Sequence, residues 1–174
     1  MTSMTETGVT TQVYRVYIKA TPEAIWDAIT KPEWTDRYGY GGTIDGALRT
    51  GAPYRILAGE GMQAVGVSGP IIDGELIEVD PPRKLVQTWR MLMDSELETE
   101  GFTRLTWEIQ EGTGGVSKLT VIHELEGAPR LATMVSGGME DTGAGGGWSW
   151  ILSDLKTLLE TGSSMEWQPG QNQG

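Results

Sequence analysis

A single histidine, His123, is the one side chain in this sequence whose ordinary pKa, about 6.5, suits proton transfer near neutrality. It lies in a segment, Val116 to Leu125, where period-2 alternation puts Leu119, Val121, His123 and Leu125 on one face of a strand. Trp89 and Trp107 hold matching faces of the two preceding strands. Two roles are open to an imidazole in that setting. It can be a cavity acid, base or ligand-binding group, or a packed side chain satisfied by backbone or water. No G-x-S-x-G nucleophile motif accompanies it. With one His and no Cys, a metal site would rest on carboxylates such as Glu96, Glu98 and Glu100, which read more simply as a solvated acidic loop. No metal is expected. Gly143, Gly145, Gly146 and Gly147 precede a helix start, where backbone N–H groups can meet an anion. The nucleotide-loop pattern G-x-x-x-x-G-K-[ST] is absent, no cofactor is expected, and a cavity lid or a plain loop fits these glycines better.

The elements that must position these residues are legible in order. Thr11 to Ala20 alternates as a first strand. Thr21-Pro22-Glu23 opens a helix with an N-cap, a proline at the first helical position and an acidic first turn, and Lys31-Pro32 closes it. A second short helix is expected over Pro32 to Tyr38. A short strand is expected around Ala47 to Arg49, then strands at Pro53 to Ala58, Ile71 to Val79 and Arg83 to Met93. Between them, 59–70 reads either as a strand around Gln63 to Val67 or as a loop. Asp94 to Gly101 reads as an acidic loop, Phe102 to Gln110 and Val116 to Leu125 as a hairpin, and Gly127 to Gly146 as a connector.

Leu85, Gln87, Trp89 and Met91 share one strand face, and Thr103, Leu105, Trp107 and Ile109 share another. With the His123 strand, this predicts an antiparallel sheet with one covered, Trp-bearing side and one wet side. The cover is Gly147 to Gly162: Trp148, Ile151, Leu152, Leu155, Leu158 and Leu159 recur at helical spacing, with Asp154 among the polar remainder, and Gly162 suits a left-handed C-terminal stop. One domain is expected over 11–162, with flexible tails at 1–10 and 163–174.

Composition narrows the partners. A net charge of −11, from 24 acidic and 13 basic residues, opposes binding to nucleic acid and anionic membranes. No stretch nears the roughly 20 apolar residues of a membrane span, so no membrane insertion is expected. The absence of cysteine and of a signal-like N-terminus points to the cytoplasm. Seven Trp and five Tyr against one Phe favour a pocket wall that is partly wet.

The segments ATPEAIWDAITKPE, ELIEVDPPRKLVQTW, FTRLTWEI, KLTVIHEL and GWSWILSDLKTLLE resemble the START-like (SRPBCC) superfamily. Within it they resemble the subgroup related to activators of the heat-shock-protein-90 ATPase. The resemblance runs from about Val13 to Gly162. It implies an α+β helix-grip fold: a curved antiparallel sheet wrapped around a long C-terminal helix, with two short helices after the first strand and a cavity between.

Under that fold Trp34, Tyr38, Tyr54, Trp89, Trp107, His123 and Trp148 converge on one interior, together with Leu152. Gln87 and Thr103 supply inward polar groups, and Met62, Met91, Met134 and Met139 supply adaptable walls. The first functional expectation is binding of a small hydrophobic or aromatic ligand between sheet and helix, by a monomer or weak homodimer. The alternatives are a polyketide cyclase or aromatase using His123, and a co-chaperone or other protein-interaction module, a role found in the resembled subgroup.

Overall fold

Alternating side chains dictate a sheet with one dry face, and the computed structural model, which describes residues 10–142 and 145–165, shows how it is assembled. The strands are β1 (Thr11–Ile18), β2 (Thr43–Gly46), β3 (Pro53–Leu57), β4 (Pro70–Asp80), β5 (Lys84–Met91), β6 (Thr103–Glu111) and β7 (Ser117–Glu124). They form one antiparallel sheet in the spatial order β1-β7-β6-β5-β4-β3-β2. Register brings Gln12, His123, Leu105, Gln87 and Leu76 into one row across the covered face. The next row carries Tyr14, Val121, Trp107, Leu85 and Val79. Irregular register at Leu76/Glu78 and Ile56/Leu57 bends the far strands.

Helix α1 (Pro22–Thr30) starts where the sequence places it. Thr21 Oγ1 accepts the Ala24 N–H at 3.1 Å, and Lys31 is extended ahead of Pro32. Helix α2 spans only Pro32–Thr35, short of Tyr38. The long helix α6 (Gly147–Thr161) lies on the covered face and ends at Gly162, whose φ of 88° is left-handed. Trp148, Leu152, Leu155 and Leu158 join Trp89, Trp107, Leu119 and Val121 in one core. This is the helix-grip architecture that the sequence implies. Among the described residues, no helix is long and apolar enough to cross a membrane.

Four segments differ from expectation. The strand placed near Ala47 to Arg49 lies at β2, Thr43–Gly46, where pairing with β3 supplies its ladder. The 59–70 segment holds a short helix, α3 (Glu60–Ala64), instead of a strand or a plain loop. The acidic run contains α4 (Ser95–Glu100), because Asp94 caps it by accepting the Leu97 N–H at 2.8 Å. The connector contains α5 (Pro129–Val135), whose N-terminal amides have no local side-chain cap. Glu100 provides one from 30 residues away, accepting the Arg130 N–H at 2.9 Å and the Leu131 N–H at 3.0 Å. Residues 1–9, Gly143 and 166–174, named above in the tails and the glycine cluster, lie outside the described residues.

Asp154 also departs from its expected place. It sits on α6 at 1% exposure instead of on a solvated stripe. Its two carboxylate oxygens accept the Gly39 N–H at 2.8 Å and the Met165 N–H at 2.6 Å. The carboxylate thereby fixes the chain after α2, and the chain after α6, to the helix between them. Asp154→Ala leaves two amides without this charged acceptor. It should lower the free energy of unfolding by about 3 kcal/mol in urea titration, and a loss below about 0.5 kcal/mol would show that the anchor is unimportant.

Candidate functional site

Trp148, on the first turn of α6, meets the sheet through a chain of hydrogen bonds. Its indole N–H donates to His123 Nδ1 at 3.1 Å. His123 Nε2 lies 2.8 Å from the Thr103 hydroxyl, and that hydroxyl donates to the Trp89 carbonyl at 2.8 Å. A hydroxyl has one proton, so the Thr103–His123 bond requires the imidazole to donate from Nε2. The histidine is therefore the neutral Nε2–H tautomer with both ring nitrogens engaged. It is 0% exposed. Burial alone pushes its pKa down to about 3. The rings pack edge to face around it: Trp89 to His123 at 5.2 Å, His123 to Trp148 at 5.9 Å and Trp107 to Trp148 at 5.4 Å.

Two apolar cavities flank the Trp89–Trp148 pair. One, of about 160 Å³, is walled by Met62, Met91, Met93 and Met134 with Val135. The other, of about 130 Å³, is walled by Ile29, Ile44, Ile56, Tyr38, Gln87 and Trp107. Tyr40, Ile71, Ile72, Trp89, Trp148 and Ile151 border both, so one layer of side chains separates them. Larger openings exist, of about 480 Å³ beside Asp36, Arg37 and Glu60 and of about 660 Å³ on the outer sheet face. The second is edged by charged side chains already in pairs, such as Arg83–Asp80 and Lys84–Glu78. An apolar ligand gains nothing from such surfaces.

Local sequence explains the mouth of the methionine-lined cavity. Gly147 has a φ of 70°, and a Cβ there would strike the Val135 carbonyl. Its N–H donates to the Tyr40 hydroxyl at 3.2 Å. Gly147 thus acts as a close-packing position that lets α6 begin directly behind α5 and Tyr40.

Of the residues singled out in the sequence, Tyr38, Gln87, Trp89, Trp107 and Trp148 border the apolar cavities, as do Met62, Met91 and Met134. Thr103 and His123 stand behind Trp148 instead. Tyr54 is buried on β3 and donates to the Thr88 carbonyl at 2.7 Å. Leu152 is core, and Trp34 is half-buried with the Arg37 guanidinium 4.7 Å from its ring centre. Tyr40, Ile71, Ile72 and Ile151 border the cavities without being among the site residues that the sequence singles out. Ile151 was on the apolar stripe of α6, and Ile71-Ile72 opened a strand, so the signal existed for those three.

A family model described as activator of Hsp90 ATPase homolog 1-like protein matches residues 19–160. Among curated proteins, none matches this sequence. Several solved structures share the fold. CalU16 from Micromonospora echinospora superposes with a TM-score of 0.63 at 18% identity, covering 90% of this chain and 69% of that one. An HSP90 activator from Plasmodium falciparum gives 0.60 at 17% identity, covering 87% and 96% respectively. The Aha1 dimer from Colwellia psychrerythraea gives 0.60 at 19% identity, covering 88% and 98%.

The tautomer assignment carries a pH signature. The folded pKa of His123, about 3, lies below the unfolded value of about 6.5, so the unfolded chain takes up the proton first. Stability from this site is complete above about pH 6.5 and falls toward pH 3 by about 1.4 kcal/mol per unit. In nitrogen–proton correlation spectra the lone imidazole should keep the neutral Nε2–H pattern from about pH 8 to about pH 5. A titration midpoint near 6.5 would overturn the assignment.

Proposed function

This chain belongs to the activator of Hsp90 ATPase homolog 1-like family, and from that premise we propose that it binds a small hydrophobic or aromatic ligand between the sheet and α6. The carrying observation is the pair of apolar cavities on either side of Trp89 and Trp148. Each is smaller than the ~300 Å³ at which drug-sized pockets begin. An apolar cavity of about 150 Å³ nonetheless accommodates benzene. The methionine wall makes the larger one expandable, since an unbranched thioether side chain repacks at low cost. Indole rings in the wall of each favour a planar occupant.

His123 is assigned a holding role in this reading. Its nitrogens are both engaged and it borders neither cavity, so the cyclase alternative loses the proton carrier on which it depended. As to assembly, the Colwellia relative is described as a dimer, which supports a weak homodimer in exchange with monomer here.

Native mass spectrometry of the purified chain, followed by denaturing extraction, tests the reading directly through any retained apolar mass. Titration with naphthalene, followed by tryptophan fluorescence, tests it without a resident ligand. Met134→Trp fills the methionine-lined cavity and should weaken naphthalene binding at least about tenfold while shifting Tm by less than about 4 °C. The reading fails if naphthalene and a panel of larger aromatics show no saturable binding and extraction yields nothing.

A further inference from the structure

The outer edge of β1 has two unlike halves. Leu125 donates its N–H to the Thr10 carbonyl at 2.6 Å, and register then pairs Gln12 with His123 and Tyr14 with Val121. Bonded and non-bonded pairs alternate along an antiparallel ladder, so the even-numbered residues of β1 spend their backbone groups on β7. The N–H and C=O groups of Thr11, Val13, Arg15 and Tyr17 therefore point away from the sheet. Bonds at the far half agree with that parity: Lys156 Nζ donates to the Tyr17 carbonyl, and the Lys19 N–H donates to Glu160. Helix α6 thus closes the edge from Tyr17 onward. Among the described residues, nothing pairs with the outward backbone groups of Thr11, Val13 and Arg15.

An open edge of this kind accepts another strand. The symmetry of the open stretch argues for its occupant. Turned antiparallel on itself about Val13, the segment sets Val13 opposite the partner's Val13 and Thr11 opposite the partner's Arg15. Each such pair exchanges two backbone hydrogen bonds. A centre at Tyr14 or Arg15 would instead call on the Tyr17 carbonyl, which Lys156 already holds. A centre at Arg15 would also set like charges side by side. Only the Val13 centre uses all the open positions and no others.

Charge favours the same arrangement. Arg15 is exposed and has no ion pair among the described residues. Thr11 pairs across the ladder with Glu124, whose carboxylate lies a loose 3.6 Å from Arg104. The partner's Arg15, opposite Thr11, then stands two strand spacings from Glu124, about 10 Å between backbones on the same wet face. A guanidinium and a carboxylate side chain together span that gap. In a chain of net charge −11, this pairing offsets repulsion where the copies meet.

We infer that a second copy of this chain pairs through Thr11 to Arg15 of β1, making the two sheets continuous across a two-fold axis at Val13. The inference rests on the homodimer reading above and gives it a surface; the cavities take no part in it. A few backbone bonds and a small contact area make the association weak and concentration-dependent.

Sedimentation of the full chain over about 5 to 500 µM reads the association. Val13→Pro removes one outward N–H and leaves the β7 ladder whole, since an edge strand tolerates proline there. It should weaken dimerisation at least about tenfold. The chain contains no cysteine, so introduced single cysteines report the register. Under mild oxidation Val13→Cys should cross-link the dimer, because a facing bonded pair lies about 5.5 Å apart, within disulfide reach. Tyr17 is the more exposed position, at 58% against 46% for Val13. Tyr17→Cys should nonetheless cross-link at least about tenfold more slowly, since its two copies stand about 26 Å apart in this register. A chain that stays monomeric across the whole range overturns the interface and the homodimer reading together. A dimer that withstands Val13→Pro, or that cross-links as fast through Tyr17→Cys, overturns the interface alone. The cysteine pair decides by itself if Val13→Pro does not fold.

Discussion

One buried chain of hydrogen bonds holds the helix to the sheet: Trp148 N–H to His123, His123 to Thr103, Thr103 to the Trp89 carbonyl. It crosses from α6 to β7, β6 and β5, and every polar atom in it has a partner. A buried polar network stabilises only when it is complete, because the low dielectric that strengthens its bonds also raises the cost of any vacancy. Apolar packing alone would let α6 slide along a face of similar leucines and isoleucines. Directional bonds at one point on its first turn prevent that sliding. The Trp148 ring, which borders both cavities, cannot swing inward without breaking this chain.

How much of this was legible in the sequence follows from the range of each interaction. The register of β5, β6 and β7 needs only period-2 alternation, and it placed Gln87, Trp89, Trp107 and His123 on the right face. Helix α6 needs only its stripe, and α1 only its local cap. Helix α5 has no local start signal, because its cap, Glu100, is distant in sequence and Ala128 at the local position offers no polar side chain. Asp154 reads as a surface carboxylate because nothing nearby announces that Gly39 and Met165 will supply its partners. The role of His123 was open for the same reason. Its chemistry depends on a threonine 20 residues earlier and a tryptophan 25 residues later.

The cavity walls combine two kinds of side chain with opposite mechanical character. Trp89 and Trp148 are wide, few-rotamer plates held by edge-to-face contacts. Met62, Met91, Met93 and Met134 are soft, and they gather on one side. A ligand of the proposed kind, entering from the methionine side, would deform what yields and leave the plates in register. The shape of the site would then be set partly by its occupant, and the orientation of that occupant by the rigid side.

The edge of β1 is held by α6. Lys156 Nζ donates to the Tyr17 carbonyl at 2.7 Å, and Glu160 accepts the Lys19 N–H at 2.8 Å. An uncovered outer strand offers a template for another chain to extend the sheet, which is a route to aggregation. Here the same helix that covers the dry face also occupies backbone groups at one border of the sheet. The opposite border is β2, only four residues long and bearing the Asp45–Arg55 ion pair. Cover at the Tyr17 and Lys19 end of the β1 border therefore depends on side chains of the same helix that roofs the cavities.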